Sequence, residues 1–385
     1  VVARRSRCVT VDEAKLKLYM VSNNVEPPVA ASTPRGDTMK RLLCLIGTAV
    51  ALTAWVAPAA ADDKKVRAQM GWAFPSSTGL LGPTQTRLVE TIRTLSAGSI
   101  DVKGFEPGAL VPANQYLDAV GNGSLDMAWT VSGFWTGKDI AFAMYASVPF
   151  GPGVGEYLAW MKHGGGEKLM KELHAKYDVE VMTCGVISPE ASGWFRKEIK
   201  SLDDLKGLKM RFFGLGANVM QKLGVSTQLL QAGEIFQALQ LGTIDATEFS
   251  MPVMDLTLGF HQVAKFYYFP GWHQQSTINE LIISKKKWAE FSDTQKAILH
   301  AACDAITLQQ FAEGEAVQFK AMKEIQAKGV QLKKWPQSFI DAFEKAWIEV
   351  AAEQSAKSPE FKKAWDSYSA FRKDYAIWKD MGYLK

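Results

Sequence analysis

The chain has 385 residues, 47% of them hydrophobic, with 44 Lys and Arg against 40 Asp and Glu, a formal net charge of +4. That length buries the cores of two domains. The positive excess lies in residues 1–61, which hold eight of the basic and four of the acidic residues; the rest balances at 36 of each, so charge gives no argument for a nucleic-acid partner, and none is expected.

Residues 1–38 carry an early basic cluster (Arg4, Arg5, Arg7) and no apolar period, and read as an upstream extension outside the fold. Met39-Lys40-Arg41, an apolar run over 42–56 and Ala57-Pro58-Ala59-Ala60-Ala61 follow. A basic start, a short apolar stretch and small residues at the end make a signal peptide over 39–61, with the mature chain starting at Asp62 in the periplasm. The run is shorter than the roughly 20 apolar residues of a membrane span. Cys8 and Cys44 leave with this leader. Cys184 and Cys303 remain, and two cysteines define no framework. They read as two buried free thiols, with a disulfide as the alternative.

Along the mature chain, 66–73 reads as a strand. Leu88, Ile92 and Leu95 mark a helix that ends near Gly98, and 100–105 is a second strand. A short helix over 114–120 precedes the Gly121-Asn122-Gly123 turn and a strand over 125–131. This rhythm implies a mainly parallel sheet flanked by helices. It resumes with strands over 179–186 and 208–213, helices over 218–223 and 234–241, and a strand over 244–249. Ser292 and Gln295 form a capping box for a proline-free helix that runs to Lys328. At 1.5 Å per residue it is about 50 Å long, more than one small domain needs. A strand over 330–335 and two further helices complete the chain. The last helix puts Phe361, Trp365, Tyr368, Phe371, Tyr375 and Trp378 on one face. Each singly reads as intrachain packing; their density makes a dimer contact the second reading.

Enzyme motifs are missing. His163-Gly164-Gly165-Gly166 is similar to an oxyanion-hole motif, but no G-x-S-x-G elbow accompanies it, and it reads as a tight turn before a helix. Gly214-x-Gly216 lacks the third glycine of a dinucleotide loop, where Val219 stands. The five histidines show no metal-ligand spacing.

A family resemblance is carried by Val148-Pro149-Phe150-Gly151, Ser192-Gly193-Trp194-Phe195-Arg196-Lys197, Leu205-Lys206-Gly207-Leu208-Lys209-Met210-Arg211, Gly242-Thr243-Ile244-Asp245-Ala246-Thr247-Glu248 and Tyr267-Tyr268-Phe269-Pro270-Gly271-Trp272-His273. In this order they resemble the substrate-binding subunits of tripartite ATP-independent periplasmic (TRAP) transporters, and within them the 2-oxo-acid-binding branch. The resemblance covers essentially the whole mature chain. It implies an α/β, two-lobed periplasmic-binding-protein-like fold (type II-like) with a long lobe-spanning helix and C-terminal helices. Lobe I is expected over 62–187, completed by roughly 276–318. Lobe II is expected over 188–275, completed by parts of 319–385, with helices over 337–385 available for a homodimer.

The resemblance also implies the site. Arg211 grips the substrate carboxylate, where a guanidinium fork makes two parallel charge-assisted hydrogen bonds. Glu248 and the carbonyl of Phe249 hold a cation, sodium or calcium, that bridges protein and acid. The chain departs from the pattern at several positions. Glu190 stands where glutamine is expected and Gln274 where glutamate is expected; with both facing the cation, the exchange keeps the carboxylate count. Phe134 and Trp135 replace a tyrosine pair, Phe249 replaces tryptophan, and Met254 replaces asparagine ahead of Asp255. Fewer hydroxyl donors favour a monocarboxylate with a more apolar tail than pyruvate. The expected partners are a small organic acid and the integral-membrane TRAP permease. The competing readings are a metal-independent receptor for another acid or polar solute, and a secreted enzyme on the same scaffold.

Overall fold

The computed structural model describes residues 63–384; the expected extension, the signal peptide and its cleavage point lie outside them. Four strands come first: β1 (Val66–Trp72), β2 (Ile100–Phe105), β3 (Met127–Thr130) and β4 (Val179–Ile187). The chain then crosses to build β5 (Gly193–Phe195), β6 (Lys209–Arg211), β7 (Ser226–Gln228), β8 (Ala246–Thr247) and β9 (Phe266–Phe269). It returns for β10 (Thr277–Ser284), and the helix Asp293–Ala327 leads back across to β11 (Gln331–Lys334). The first sheet has the order β2-β1-β3-β10-β4 and the second β11-β9-β5-β8-β6-β7. Two sheets, each covered by helices, give the expected two-lobed α/β fold.

Each sheet is mainly parallel, as expected, with one strand running against the rest. β10 runs antiparallel between β3 and β4, and β5 runs antiparallel between β8 and β9. These are the strands that enter each lobe from the other one, so their direction follows from the crossing and not from a βαβ unit. β10 is buried along its whole length, as a strand covered on both faces must be.

The long helix starts with the capping box that Ser292 and Gln295 encode. Leu299, Ala302, Ile306 and Gln310 bury its first half on β4 and the helix Leu81–Leu95. Further on, Gln318 accepts a hydrogen bond from the Val253 N–H (3.0 Å), in the helix Pro252–Thr257 of the second lobe. The helix therefore spans both lobes. Cys303, on its first half, forms a disulfide with Cys184 of β4, which corrects the free-thiol reading. The 119 residues between them carry no spacing signal; only the docking of the helix on β4 brings the sulfurs together.

The C-terminal aromatic stripe divides. Phe361 and Tyr368 are fully buried, and Tyr368 meets Trp160 edge to face (centroids 5.1 Å). Phe371 lies over Gly164 of the His163–Gly166 turn, which precedes a helix as read from the sequence and also follows one. Beyond it, Ile377, Trp378 and Met381 are exposed.

Candidate functional site

β6 and β8 are parallel neighbours, with Arg211 in register with Thr247. Their carboxyl ends therefore lie side by side, where ligands of open α/β sheets bind, and Arg211 meets Glu248. Arg211 Nη1 donates to Glu248 Oε1 (2.6 Å) and to the Glu248 carbonyl (2.7 Å), and Nε donates to the Leu230 carbonyl (3.3 Å). Nη2 makes no hydrogen bond among the described residues. The Phe213 N–H also donates to Glu248 Oε1 (2.6 Å). Burial alone would raise the Glu248 carboxyl, but Arg211, His273 and that N–H hold it below its ordinary range.

Glu190 comes from the segment between β4 and β5, and His273 and Gln274 from the segment between β9 and β10. These are two of the lobe crossings, and they are tied together: the Glu190 N–H donates to the Gln274 carbonyl (3.1 Å), and the Gly271 N–H donates to the Glu190 carbonyl (3.0 Å). Glu190 Oε1 accepts from Ser250 Oγ (3.0 Å). Burial, and then the nearby Glu248, push the Glu190 carboxyl well above its ordinary range. Asp255 anchors this wall. It accepts from Trp194 Nε1 (2.8 Å), the Tyr267 hydroxyl (2.8 Å) and the Ser250 N–H (3.1 Å).

A small pocket opens between these groups. Its polar lining is Arg211, Glu190, Ser250, Gln274 and Thr277. Its apolar lining is Phe74, Leu81, Val131, Phe134, Ile187, Phe213 and Phe249. Rings meet across the cleft: Phe134 and Phe213 (centroids 5.6 Å), and Phe74 and Phe249 (6.5 Å), both edge to face. The Arg211 guanidinium lies 5.4 Å from the Phe249 ring centroid. Gly133 makes the first ring contact feasible, because a Cβ there would overlap the Phe213 ring. Gly133→Ala is accordingly expected to hold the lobes apart. Acid affinity should fall about tenfold or more, since a small overlap in a packed contact costs about 1–3 kcal/mol. Small-angle scattering of the acid-saturated variant checks this; a compact profile matching that of the parent would contradict it.

The sequence-predicted residues Arg211, Glu190, Phe134 and Phe249 line this pocket, as does Gln274. Glu248 stands directly behind Arg211. Trp135 does not reach it: its ring is buried against Phe142 (5.6 Å) and His174 (6.0 Å). It belongs to a short 3-10 helix, Ser132–Trp135, whose turn sends neighbouring side chains in different directions. Sequence reasoning missed Phe74, Phe213, Ser250, Thr277 and His273. Phe213 was findable, two residues beyond Arg211; Phe74 comes from a distant loop and carried no signal.

The donor set suits a cation. Glu190, Glu248 and His273, all buried, each offer a ligand atom within 4.8 Å of the others. Glu190 Oε2, Glu248 Oε2, Gln274 Oε1 and both ring nitrogens of His273 have no hydrogen-bond partner among the described residues. Buried acceptors are normally matched by donors or ions, and carboxylate and amide oxygens are the ligands of hard cations.

Comparison with known proteins agrees with the fold and with the family resemblance. The family described as bacterial extracellular solute-binding protein, family 7 (DctP) matches residues 75–358. A monocarboxylate 2-oxoacid-binding periplasmic protein of Nostoc sp. is 34% identical over 319 residues, 83% of this chain and 87% of the relative. A TRAP transporter solute-binding protein of Bordetella bronchiseptica RB50 superposes with a TM-score of 0.80 at 34% identity, covering 82% of this chain and 94% of the other. That structure is a mixed-occupancy dimer with a calcium- and picolinate-bound active site and an apo site. A TRAP periplasmic solute-binding protein of Pseudoalteromonas atlantica T6c, with bound sodium and pyruvate, gives 0.79 at 29% identity over 82% and 96%. This chain therefore belongs to the family 7 extracellular solute-binding proteins of TRAP transporters, periplasmic binders of small organic acids in transport and not enzymes.

Proposed function

We propose that the chain captures one small monocarboxylate bearing a donor atom next to its carboxylate, a 2-oxo or 2-hydroxy acid, and delivers it to an integral-membrane TRAP permease. The observation that carries this reading is Arg211, held by Glu248 through Nη1, with Nη2 unpaired among the described residues, in the lining of a pocket that has no second basic residue. One guanidinium matches one carboxylate. The four phenylalanine rings in the lining suit an apolar tail and leave a second carboxylate unpaired. Picolinate and pyruvate, held by the two relatives, share this pattern of a carboxylate beside a donor atom.

Glu190, Glu248 and Gln274 would hold the cation, which would supply positive charge to the carboxylate of the acid. The residues of the chain do the rest. Arg211 orients the carboxylate, Phe134 and Phe249 close over the tail, and the two crossings that carry Glu190 and Gln274 bring both lobes onto the ligand. Export would use the signal peptide at 39–61. The exposed end of the helix Pro359–Gly382, with Ile377, Trp378 and Met381, supplies the surface a homodimer would use, and light scattering reports the mass.

The test is a thermal-shift panel on the chain from Asp62, stripped by unfolding and refolding. Pyruvate, longer 2-oxo acids, lactate, picolinate and dicarboxylates are added with sodium, with calcium, or with chelator in sodium-free buffer. Because a ligand of the native state raises the melting temperature by mass action, one monocarboxylate is expected to give a shift that disappears without cations. Equal shifts with and without cations would support the metal-independent receptor instead, and shifts from dicarboxylates alone would refute the ligand class.

A further inference from the structure

We propose that Glu280, a buried carboxyl group outside the cleft, is a positioning residue for acid binding: through a water-bridged cluster with His174, Thr130, Thr183 and Trp135 it holds the turn that carries Gly133 and Phe134. The proposal rests on the receptor reading above and adds a residue that does not line the pocket. Glu280 is fully buried in the middle of β10. It pairs with Thr130 of β3 on one side and Thr183 of β4 on the other, and residues directly opposite on neighbouring strands share a face. That face is covered by His174 of the helix Gly166–Ala175, whose Nε2 stands 3.4 Å from Glu280 Oε2. His174 Nδ1 donates to the Met170 carbonyl (2.9 Å), and its ring meets the Trp135 ring edge to face (centroids 6.0 Å). Asn279, beside Glu280 in the strand, takes the other face, where its Oδ1 accepts from Gln310 Nε2 of the long helix (2.9 Å).

Polar atoms without partners collect on this face. Neither Glu280 oxygen, nor the hydroxyls of Thr130 and Thr183, nor His174 Nε2, nor Trp135 Nε1 has a hydrogen-bond partner among the described residues. All five residues are 1% exposed or less, and buried polar groups left unpaired are costly. The indole N–H only donates, while the carboxyl and hydroxyl oxygens accept. A cation would therefore serve the oxygens and leave the indole unpaired, whereas water serves both. An internal water makes about three hydrogen bonds, so about two waters match this set. Chain order carries the effect to the cleft. Thr130 ends β3 and Trp135 ends the 3-10 helix Ser132–Trp135, so both ends of the segment 130–135 rest on the cluster. Between them lie Val131 and Phe134, which line the pocket, and Gly133, which admits the Phe213 ring. Hydrogen bonds behind a binding wall fix the side chains that touch the ligand, and here the wall is the one against the tail of the acid.

The experiment uses the chain from Asp62. Amide exchange is followed over 130–135 in the acid-free protein, and calorimetric titration measures pyruvate and 2-oxohexanoate. Glu280→Met, Trp135→Phe and Thr183→Val remove the carboxyl, the indole N–H and one hydroxyl, each leaving an apolar group behind. Exchange over 131–135 is expected to quicken about fivefold, as where one hydrogen bond's contribution is lost, while β1 and β2 keep parent rates. The longer acid should lose at least about threefold more affinity than pyruvate, because its tail is what Phe134 covers. Glu280→Gln, which keeps an acceptor oxygen, should restore part of both. In the paired Trp135→Phe, Thr183→Val variant the effects on affinity should depart from additivity by about twofold or more, since both act through one network. Parent exchange and parent acid preference in Glu280→Met would overturn the proposal. So would loosening of the whole lobe with the preference unchanged, which makes Glu280 a residue of the core. Should Glu280→Met not fold, the pair decides, and additive effects overturn the proposal. Failure of the receptor reading is separate: the parent then binds neither acid in sodium or in calcium, and exchange in the acid-free chain still reports whether Glu280 holds the turn.

Discussion

Arg211→Ala is expected to remove measurable acid binding. Truncating one partner of a buried, hydrogen-bonded charge pair costs about 2–5 kcal/mol, a loss of roughly thirtyfold to several thousandfold. Two effects add here. The acid loses the Nη2 donor, and Glu248, buried with Oε1 on Arg211 Nη1, loses its counter-charge. The second effect acts on the fold as well, because an uncompensated buried carboxylate destabilises by about 3–5 kcal/mol. Arg211→Lys separates the two. It keeps a positive charge near Glu248, so melting should recover in large part, but a single ammonium held by Glu248 cannot also take the place of Nη2, and acid affinity should stay low. Calorimetric titration with the acid identified by the thermal panel is the readout. Parent-like affinity in Arg211→Lys would place the carboxylate elsewhere in the pocket.

Removing the disulfide is expected to have the largest effect on stability alone. Cys184 and Cys303 close a loop across a sequence separation of 119 residues, and in the chain-entropy account a loop of that length contributes about 4–5 kcal/mol by restricting the unfolded chain. For a chain of this size the paired Cys184→Ser, Cys303→Ser variant should melt on the order of 10 °C lower. Reductant should lower the parent towards the same temperature. Acid binding at low temperature should change little, because neither cysteine lines the pocket. The bond pins the first half of the lobe-spanning helix to β4, so the variant should also show faster amide exchange in that half. Two titratable thiols in the native parent, with no response to reductant, would restore the free-thiol reading.

Much of the fold follows from local pattern. The strands read over 66–73 and 100–105 became β1 and β2, and the Ser292–Gln295 capping box started the long helix where the sequence placed it. The short apolar run over 125–131 also became a strand. β9, β10 and β5 were not read as strands. β10 carries Asn279 and Glu280 within an apolar run, and β5 is three residues long, so neither offers a period to detect. Their antiparallel direction is a consequence of where the chain crosses between lobes, a fact no window of local sequence contains.

The site divides along the same line. The motifs around Arg211, Glu248 and Glu190 identify the family, and with it the residues to test and the kind of acid to expect. The hydrophobic and charge pattern alone names none of them. Tertiary structure alone decides which residues meet. Parallel pairing of β6 and β8 brings Arg211 to Glu248, and the tied crossings bring Glu190 to His273 and Gln274. The short 3-10 helix turns Trp135 away from its neighbour Phe134. The cysteines meet only because the long helix lies on β4. The sequence by itself determines the elements with a local period or cap and the family, because propensity, periodicity and motif act over neighbouring residues. Proximity between segments tens to hundreds of residues apart depends on packing, and only the folded chain decides it.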